Sequence, residues 1–309
     1  MKYSLRFVLA LALSALAIPL TSLGASGASG ATKTPSCVVS LSPTATETLF
    51  AIGAGAQVQA VDKDSNFPTT GLPRTRIDAL NPSVESIIGV CKSTKAHPSK
   101  KPDVVIISYN ANSIQQKLSA VGIKVINDGA PATLAGAYAQ INQLGRLSGH
   151  VASARHLVAS LKKTIAKDIA SVPAHPSQNV TTYYELDPTF YSLTSATFVG
   201  SLLKSLGVTN IADAQSTSAD GGYPQLTSEY IVSASPSLIF LADTICCAAT
   251  PASVAARPGF STVSAVAHGH VVGLNDDVAS RWGPRLGLLM NQLTSAVKAV
   301  LADTTVWNG

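Results

Sequence analysis

One local pattern occurs twice in this 309-residue chain, on either side of a long amphipathic stretch, and that repetition narrows the folds open to it. In the first half the β-branched run Val38-Val39-Ser40-Leu41-Ser42 leads through Pro43-Thr44-Ala45-Thr46-Glu47 into the apolar stretch Leu49 to Ile52. That order predicts a strand, a turn and a capped helix, with Thr44 and Glu47 at capping-box spacing and Gly53 and Gly55 past the helix end. Further strands are expected at Val58 to Val61, Val104 to Ser108 and Lys124 to Ile126. The second half repeats the grammar: a strand at Val180 to Glu185, a helix from Ser195 to Leu206 closed by Gly207, strands at Leu238 to Leu241 and Val271 to Leu274, and a final helix from Pro284 to Leu301. Two segments also correspond in detail. Asn81-Pro82-Ser83-Val84-Glu85 stands before Pro102-Asp103-Val104-Val105, and Gln225-Leu226-Thr227-Ser228-Glu229 stands before Pro236-Ser237-Leu238-Ile239. The first strands start 142 residues apart and the two glutamates 144, so the offset is nearly constant.

Alternation of strands and helices implies an α/β fold: two Rossmann-like lobes, each with a mainly parallel central sheet covered on both faces. Between the halves, Val151, Ala154, Leu157, Val158, Leu161, Ile165 and Ile169 recur at three and four residues while Lys162, Lys163 and Lys167 fall largely off that stripe. This predicts one helix from about His150 to Ser171, roughly 33 Å long, ended by the turn-forming Val172-Pro173-Ala174-His175-Pro176. The expected organisation is a leader and small-residue linker over 1–31, an N-terminal lobe over 36–149, a connecting helix over 150–172 and a C-terminal lobe over 177–309.

Lys2 and Arg6 precede the apolar run Phe7 to Leu20, and small residues follow from Ser22 to Ala31. A fourteen-residue run with Pro19 near its end suits a cleaved export signal better than a membrane-spanning helix, which needs about twenty. No cysteine directly follows the run, so a lipid-attached start is not expected, and the predicted location is extracytoplasmic. Charged residues make up only 13% of the chain against roughly 25% in an average soluble domain, which excludes charge-driven disorder and leaves material for a large core. The net charge is +5, and the local cluster Lys92, Lys95, Lys100 and Lys101 has no interleaved aromatics, so a nucleic-acid partner has no support.

Cys37, Cys91, Cys246 and Cys247 form an even set, which in an exported protein argues for disulfides over metal ligation. Spacing leaves three connectivities open. If each lobe keeps its own cysteines, Cys37 pairs with Cys91, and the neighbours Cys246 and Cys247 either close a strained ring or pair elsewhere.

The segments Val39 to Glu47, Pro82-Ser83-Val84-Glu85, Lys101-Pro102-Asp103-Val104-Val105, Pro224-Gln225-Leu226-Thr227-Ser228-Glu229 and Ser280-Arg281-Trp282-Gly283-Pro284-Arg285 come in an order that resembles the substrate-binding proteins of ABC importers with a rigid helical backbone. That class serves cobalamin, ferric siderophores and haem. The resemblance spans about Cys37 to Leu301 and implies a monomer that carries a small-molecule metal chelate to an ABC transporter permease, with no chemistry and no covalently bound cofactor of its own. It also implies that one glutamate atop each lobe, here Glu85 and Glu229, docks on the permease. Each lies two residues after a plausible N-cap, Ser83 or Thr227, so each projects from a helix start.

Aromatics on loops after strand ends are natural walls for a bulky chelate, and Phe67, Tyr109, Phe190, Tyr223 and Trp282 are the candidates. Arg281, beside Trp282, is a candidate for a ligand carboxylate or for a structural ion pair. Many cobalamin-binding members carry a tryptophan shortly before the first glutamate, where this chain reads Ile77-Asp78-Ala79-Leu80-Asn81, so a ferric siderophore and a corrinoid stand level as ligands. Two other readings compete. A zinc or manganese importer protein would need converging histidines, and His268-Gly269-His270 is the one close pair. An exported hydrolase would use cleft carboxylates, although the chain has no Gly-x-Ser-x-Gly, His-Glu-x-x-His or Gly-x-x-x-x-Gly-Lys-Ser/Thr motif.

Overall fold

The computed structural model describes residues 34–94, 98–175 and 177–307; the expected export signal, Lys95 and His97 lie outside them. The first half contains β1 (Val38–Leu41), α1 (Pro43–Ala51), β2 (Val58–Asp62), β3 (Arg76–Ile77), α2 (Val84–Ile87), β4 (Val104–Ile107), α3 (Ile114–Ala120), β5 (Lys124–Asn127) and α4 (Leu134–Ser148). The long α5 (Val151–Ala170) leads into β6 (Thr181–Glu185), α6 (Phe198–Ser205), β7 (Thr209–Asn210), α7 (Ser228–Ala234) and β8 (Leu238–Leu241). The chain closes with α8 (Pro251–Ala255), α9 (Ser264–Ala267), β9 (Val271–Gly273), α10 (Asp276–Ala279) and α11 (Leu286–Ala302).

Every pairing between these strands is parallel. The first sheet has the order β3-β2-β1-β4-β5 and the second β7-β6-β8-β9. Strand residues alternate between faces, and because both faces are covered the strands read as continuous apolar runs. Val39, Leu41, Val105 and Ile107 face one apolar cluster with Ile114 and Leu118 of α3. Tyr183, Ile239 and Leu241 face another with Phe260 and Val254.

The opposite faces share a single core. Val38, Val104 and Ile106 of the first sheet and Tyr184, Leu238 and Phe240 of the second belong to one apolar cluster that includes α4, α5, α6 and α11. Within α5 the buried residues are Ala154, Val158, Leu161 and Ile165, a stripe at helical spacing. The helix connecting the lobes is therefore packed into the core of both. Gly145 permits the close approach of α4, since a β-carbon there would lie 2.3 Å from the Ala154 Cβ.

The opening of α1 differs from the expected capping box. Ser42 is the N-cap, its hydroxyl accepting from the Ala45 N–H, and Pro43 occupies the first turn. Proline has a fixed φ suited to that position, so the helix starts two residues earlier than Thr44 would place it. Glu47 is thereby freed from capping and turned inward, where it is 1% exposed.

Candidate functional site

The strand orders place a reversal between β1 and β4 in the first sheet and between β6 and β8 in the second. Open parallel sheets bind ligands at the carboxyl ends of strands flanking such a reversal. Two neighbouring hollows lie there. The first, of about 350 Å³, is walled by Tyr184, Leu186, Phe198, Tyr223, Ala242 and Trp282, with Ala130 contributed from the first half. The second, of about 410 Å³, is rimmed by Ser42, Thr44, Asp64 and Ser108 of the first half and by Ile245, Asp277 and Arg281 of the second. Cys246, Asp276, Ser280 and Trp282 line both. The hollows thus share a wall and form one cleft whose inner part is apolar and whose outer part is polar.

Two polar groups of the inner part hold protons without a partner. The buried Tyr184 hydroxyl and the Trp282 indole N–H have no hydrogen-bond partner among the described residues. Burial pushes the Tyr184 phenol well above its usual pKa, so it stays neutral and can donate to an acceptor on a guest. Asp276 is differently placed. Burial alone would raise its pKa, but it accepts from the backbone N–H groups of Cys246 (2.8 Å) and Ile245 (3.0 Å) and from the Thr244 hydroxyl (3.0 Å), and the net shift is downward. Its carboxylate is fixed as an anion that ties the loop after β8 to α10.

Arg281 rims the outer hollow with its guanidinium engaged by protein groups, the structural ion pair of the two sequence expectations. It is 6% exposed and donates to Glu47 Oε1 (2.7 Å), Asn66 Oδ1 (2.9 Å), the Asp64 carbonyl (2.9 Å) and Asp277 Oδ1 (2.5 Å). Arg285 completes the pairing with Glu47 through Nε (2.9 Å) and Nη2 (2.6 Å) and lies 4.6 Å from the centre of the Phe67 ring. This network joins α1 and the loop after β2 to the segment before α11 across the cleft. Breaking a buried pair of this kind by removing one partner leaves an uncompensated charge. Glu47 is the residue that sequence reasoning missed, because its partners are 234 and 238 positions away.

The candidate aromatics separate into three groups. Trp282 and Tyr223 line the inner hollow. Phe67 and Tyr109 are exposed beyond strand ends, Tyr109 by 70%, and do not line either hollow. Phe190 is a correction: its ring stacks on Phe260 at 6.2 Å with the Arg257 guanidinium 5.4 Å away, and it packs against the core of the second half. Its backbone φ of +68° turns the loop so that the side chain points back into its own half.

Glu85 and Glu229 are both exposed, each in the first turn of a helix, and neither lines the cleft. Ser83 caps α2 by accepting from the Ser86 N–H, and Thr227 caps α7 by accepting from the Tyr230 N–H. Hydrogen bonds from its own N–H and from the hydroxyls of Ser228 and Thr227 hold the Glu229 carboxyl below its usual pKa. Cys37 and Cys91 are joined in a buried disulfide, whereas Cys246 and Cys247 are exposed free thiols. Among the described residues no three histidine, cysteine, aspartate or glutamate side chains converge as metal ligands. The His268 ring bonds the Ser264 carbonyl and His270 bonds Asp303, so the pair is drawn apart.

Asp128 and Asp243 are buried just past strand ends. Asp128, just past β5, has the Ser42 hydroxyl as a donor at 3.2 Å, but burial outweighs it and pushes the pKa to about 7. Asp243, just past β8, has no side-chain hydrogen-bond partner among the described residues, and burial with the nearby Glu185 carboxylate raises it to about 6. Glu185 itself is held by Arg257 in a two-pronged pair at 2.5 and 2.7 Å.

Residues 38–278 match the periplasmic binding protein family. The chain belongs to that family. It is 29% identical to an uncharacterized ABC transporter substrate-binding lipoprotein, YvrC, of Bacillus subtilis, over 82% of this chain and 77% of the relative. It is also 29% identical to a cobalamin-binding protein of Halobacterium salinarum, over 85% of this chain and 69% of the relative. Among solved structures, the periplasmic vitamin B12 binding protein BtuF of Vibrio cholerae superposes with a TM-score of 0.70 at 22% identity, over 87% of this chain and 99% of that one. This periplasmic binding protein thus shares with it the fold of two parallel-sheet lobes and a connecting helix. No helix among the described residues is long and apolar enough to cross a membrane.

Proposed function

We propose that this periplasmic binding protein is an extracytoplasmic receptor that captures a metal chelate in the cleft and presents it to an ABC permease through Glu85 and Glu229. The observation that carries the reading is the joined pair of hollows at the carboxyl ends of both sheets, with aromatic and aliphatic walls, the neutral donors of Tyr184 and Trp282, and the Asp276 carboxylate. Such a site suits a bulky, partly apolar guest held by area and oriented by a few hydrogen bonds. A corrinoid is the first ligand to test because of the cobalamin-binding relative, with a ferric siderophore next. Glu85 and Glu229 are exposed at helix starts outside the cleft, as docking requires and cleft catalysis does not. Because both sheets share one core through α5, lobe closure should be small and release should depend on the permease.

Titrating the purified protein with cobalamin, several ferric siderophores, haem and zinc, followed by its intrinsic fluorescence, tests the reading directly. Saturable quenching by a chelate is expected, since Trp282 lies in the cleft wall. Quenching by free zinc alone would overturn it in favour of a metal-ion carrier.

A further inference from the structure

We propose that Cys246 and Cys247 form a reversible thiol–disulfide exchange site on the wall of the cleft, reacting with low-molecular-weight or protein disulfides and closing into a ring between neighbouring residues. Nothing in this requires a particular cargo. Both thiols are free and exposed, and Cys246 lines both hollows beside Trp282. The other two cysteines are already joined, so the chain is suited to a compartment where disulfides persist.

The loop holds the two sulfurs in a confined place. The Cys247 and Ala249 N–H groups both donate to the Asp243 carbonyl, at 3.2 and 3.3 Å, and Ala248 has a φ of +56°, so the chain turns tightly there. The Cys246 N–H is anchored to Asp276 on the far side. Consecutive α-carbons lie about 3.8 Å apart across a trans peptide, against the usual disulfide span of roughly 4.4–6.8 Å. A ring between adjacent cysteines is therefore strained, and strained, exposed disulfides are the ones that open readily. That separates this pair from the buried Cys37–Cys91 bridge.

Contact between the two thiols, together with burial and the Asp276 carboxylate, pushes the Cys246 thiol up to about 12; the pair titrates as a unit, so either thiol can open the exchange, written here from Cys247. The Cys247 thiolate attacks one sulfur of a disulfide RS–SR, forms a mixed disulfide and expels RS⁻, which takes up a proton. With Cys247 capped, the contact that most raises Cys246 is gone. Cys246 then loses its proton, attacks the Cys247 sulfur and expels the second RS⁻. Two thiols are oxidised and one external disulfide is reduced to two thiols, so atoms and electrons balance.

The test uses the intact protein and oxidised glutathione, followed by alkylation with iodoacetamide, trypsin digestion and mass spectrometry. Because Arg257 precedes a proline, cleavage yields the peptide 205–281, which contains Cys246, Cys247 and no other cysteine. Expected is a peptide lacking two hydrogens and alkylated at neither cysteine, restored to double alkylation by dithiothreitol at doses that leave Cys37–Cys91 closed. Cys246→Ser and Cys247→Ser should each stop at a glutathione adduct on the one cysteine that remains. A stable glutathione adduct on the unaltered protein, or persistent double alkylation, would overturn the exchange site. Oxidation should also shift the emission of Trp282 in the unaltered protein but not in Cys246→Ser; unchanged emission would overturn the placement of the ring on the cleft wall.

Discussion

The two halves of the molecule are alike at their helix starts and unlike at the cleft. Each presents an exposed glutamate in the first turn of a hydroxyl-capped helix, Glu85 after Ser83 and Glu229 after Thr227. Each also orders its strands so that a reversal opens at the carboxyl edge. In the cleft the first half contributes a hydroxyl and carboxylate rim, Ser42, Thr44, Asp64 and Ser108, and little more than Ala130 to the inner hollow. The second half supplies nearly all of the aromatic and aliphatic wall. The repetition thus duplicates a frame and an outward-facing point, while the residues facing inward differ between the two sides.

The largest expected effect tests the likeness. With Glu85→Lys and Glu229→Lys together, chelate uptake by cells should be lost while the affinity of the purified protein is unchanged. Lost affinity would place these residues at the cargo instead of the permease. Next comes the tie between the halves. Glu47→Ala removes the one carboxylate that Arg281 and Arg285 share; Arg281 keeps Asp277 but the partly buried Arg285 loses its only carboxylate among the described residues, which should cost about 3 kcal/mol in denaturant unfolding. An effect under about 1 kcal/mol would mean that the network does not hold the lobes.

Much of the frame was legible because it rests on short-range pattern. The periodic stripe from Val151 to Ile169 became α5, and the runs at Val38, Val104, Val180 and Leu238 became strands. What local pattern did not reveal had physical reasons. The fifteen-residue α4 carries Gly136 and Gly145, poor helix formers that are tolerated because the helix is packed against α5. The edge strands β3 and β7 have two residues each, too few to show alternation. In the site, Trp282 and Tyr223 follow strand-end logic, but Phe190 is redirected by one positive φ and Arg281 by partners that folding brings from the other half of the chain. Tyr184 could not be told from Tyr183, since neighbouring strand residues face opposite sides and only the packed helices decide which side is the cleft.

The difference between wall and core can be sharpened with two aromatic truncations in the second half. Trp282→Ala should weaken chelate binding by about 2 kcal/mol, roughly thirtyfold in Kd, measured by fluorescence-independent calorimetry. Phe190→Ala should leave Kd within about twofold but lower unfolding stability by about 2 kcal/mol through loss of its packing on Phe260. The reverse outcome would return Phe190 to the cargo site and make Trp282 a scaffold residue.

The last effect concerns Asp128 and Asp243, each buried just past a strand end, one in each half. Asp128 and Asp243 have folded-state pKa values raised from 3.8 to about 7 and about 6, so between those limits the folded protein binds more protons than the unfolded chain. For these two groups stability should therefore be full below about pH 4 and fall as the pH rises above it, by at most about 1.4 kcal/mol per pH unit for each acid. Asn resembles the protonated acid, so Asp243→Asn should flatten the fall up to about pH 6, while Asp128→Asn should flatten it up to about pH 7. Urea unfolding across this range separates them, because the loss between about pH 6 and about pH 7 belongs to Asp128. If Asp243→Asn alone removed that upper segment, the more strongly raised acid would lie in the second half, and the Ser42 hydroxyl would be holding Asp128 ionised instead of merely moderating its burial.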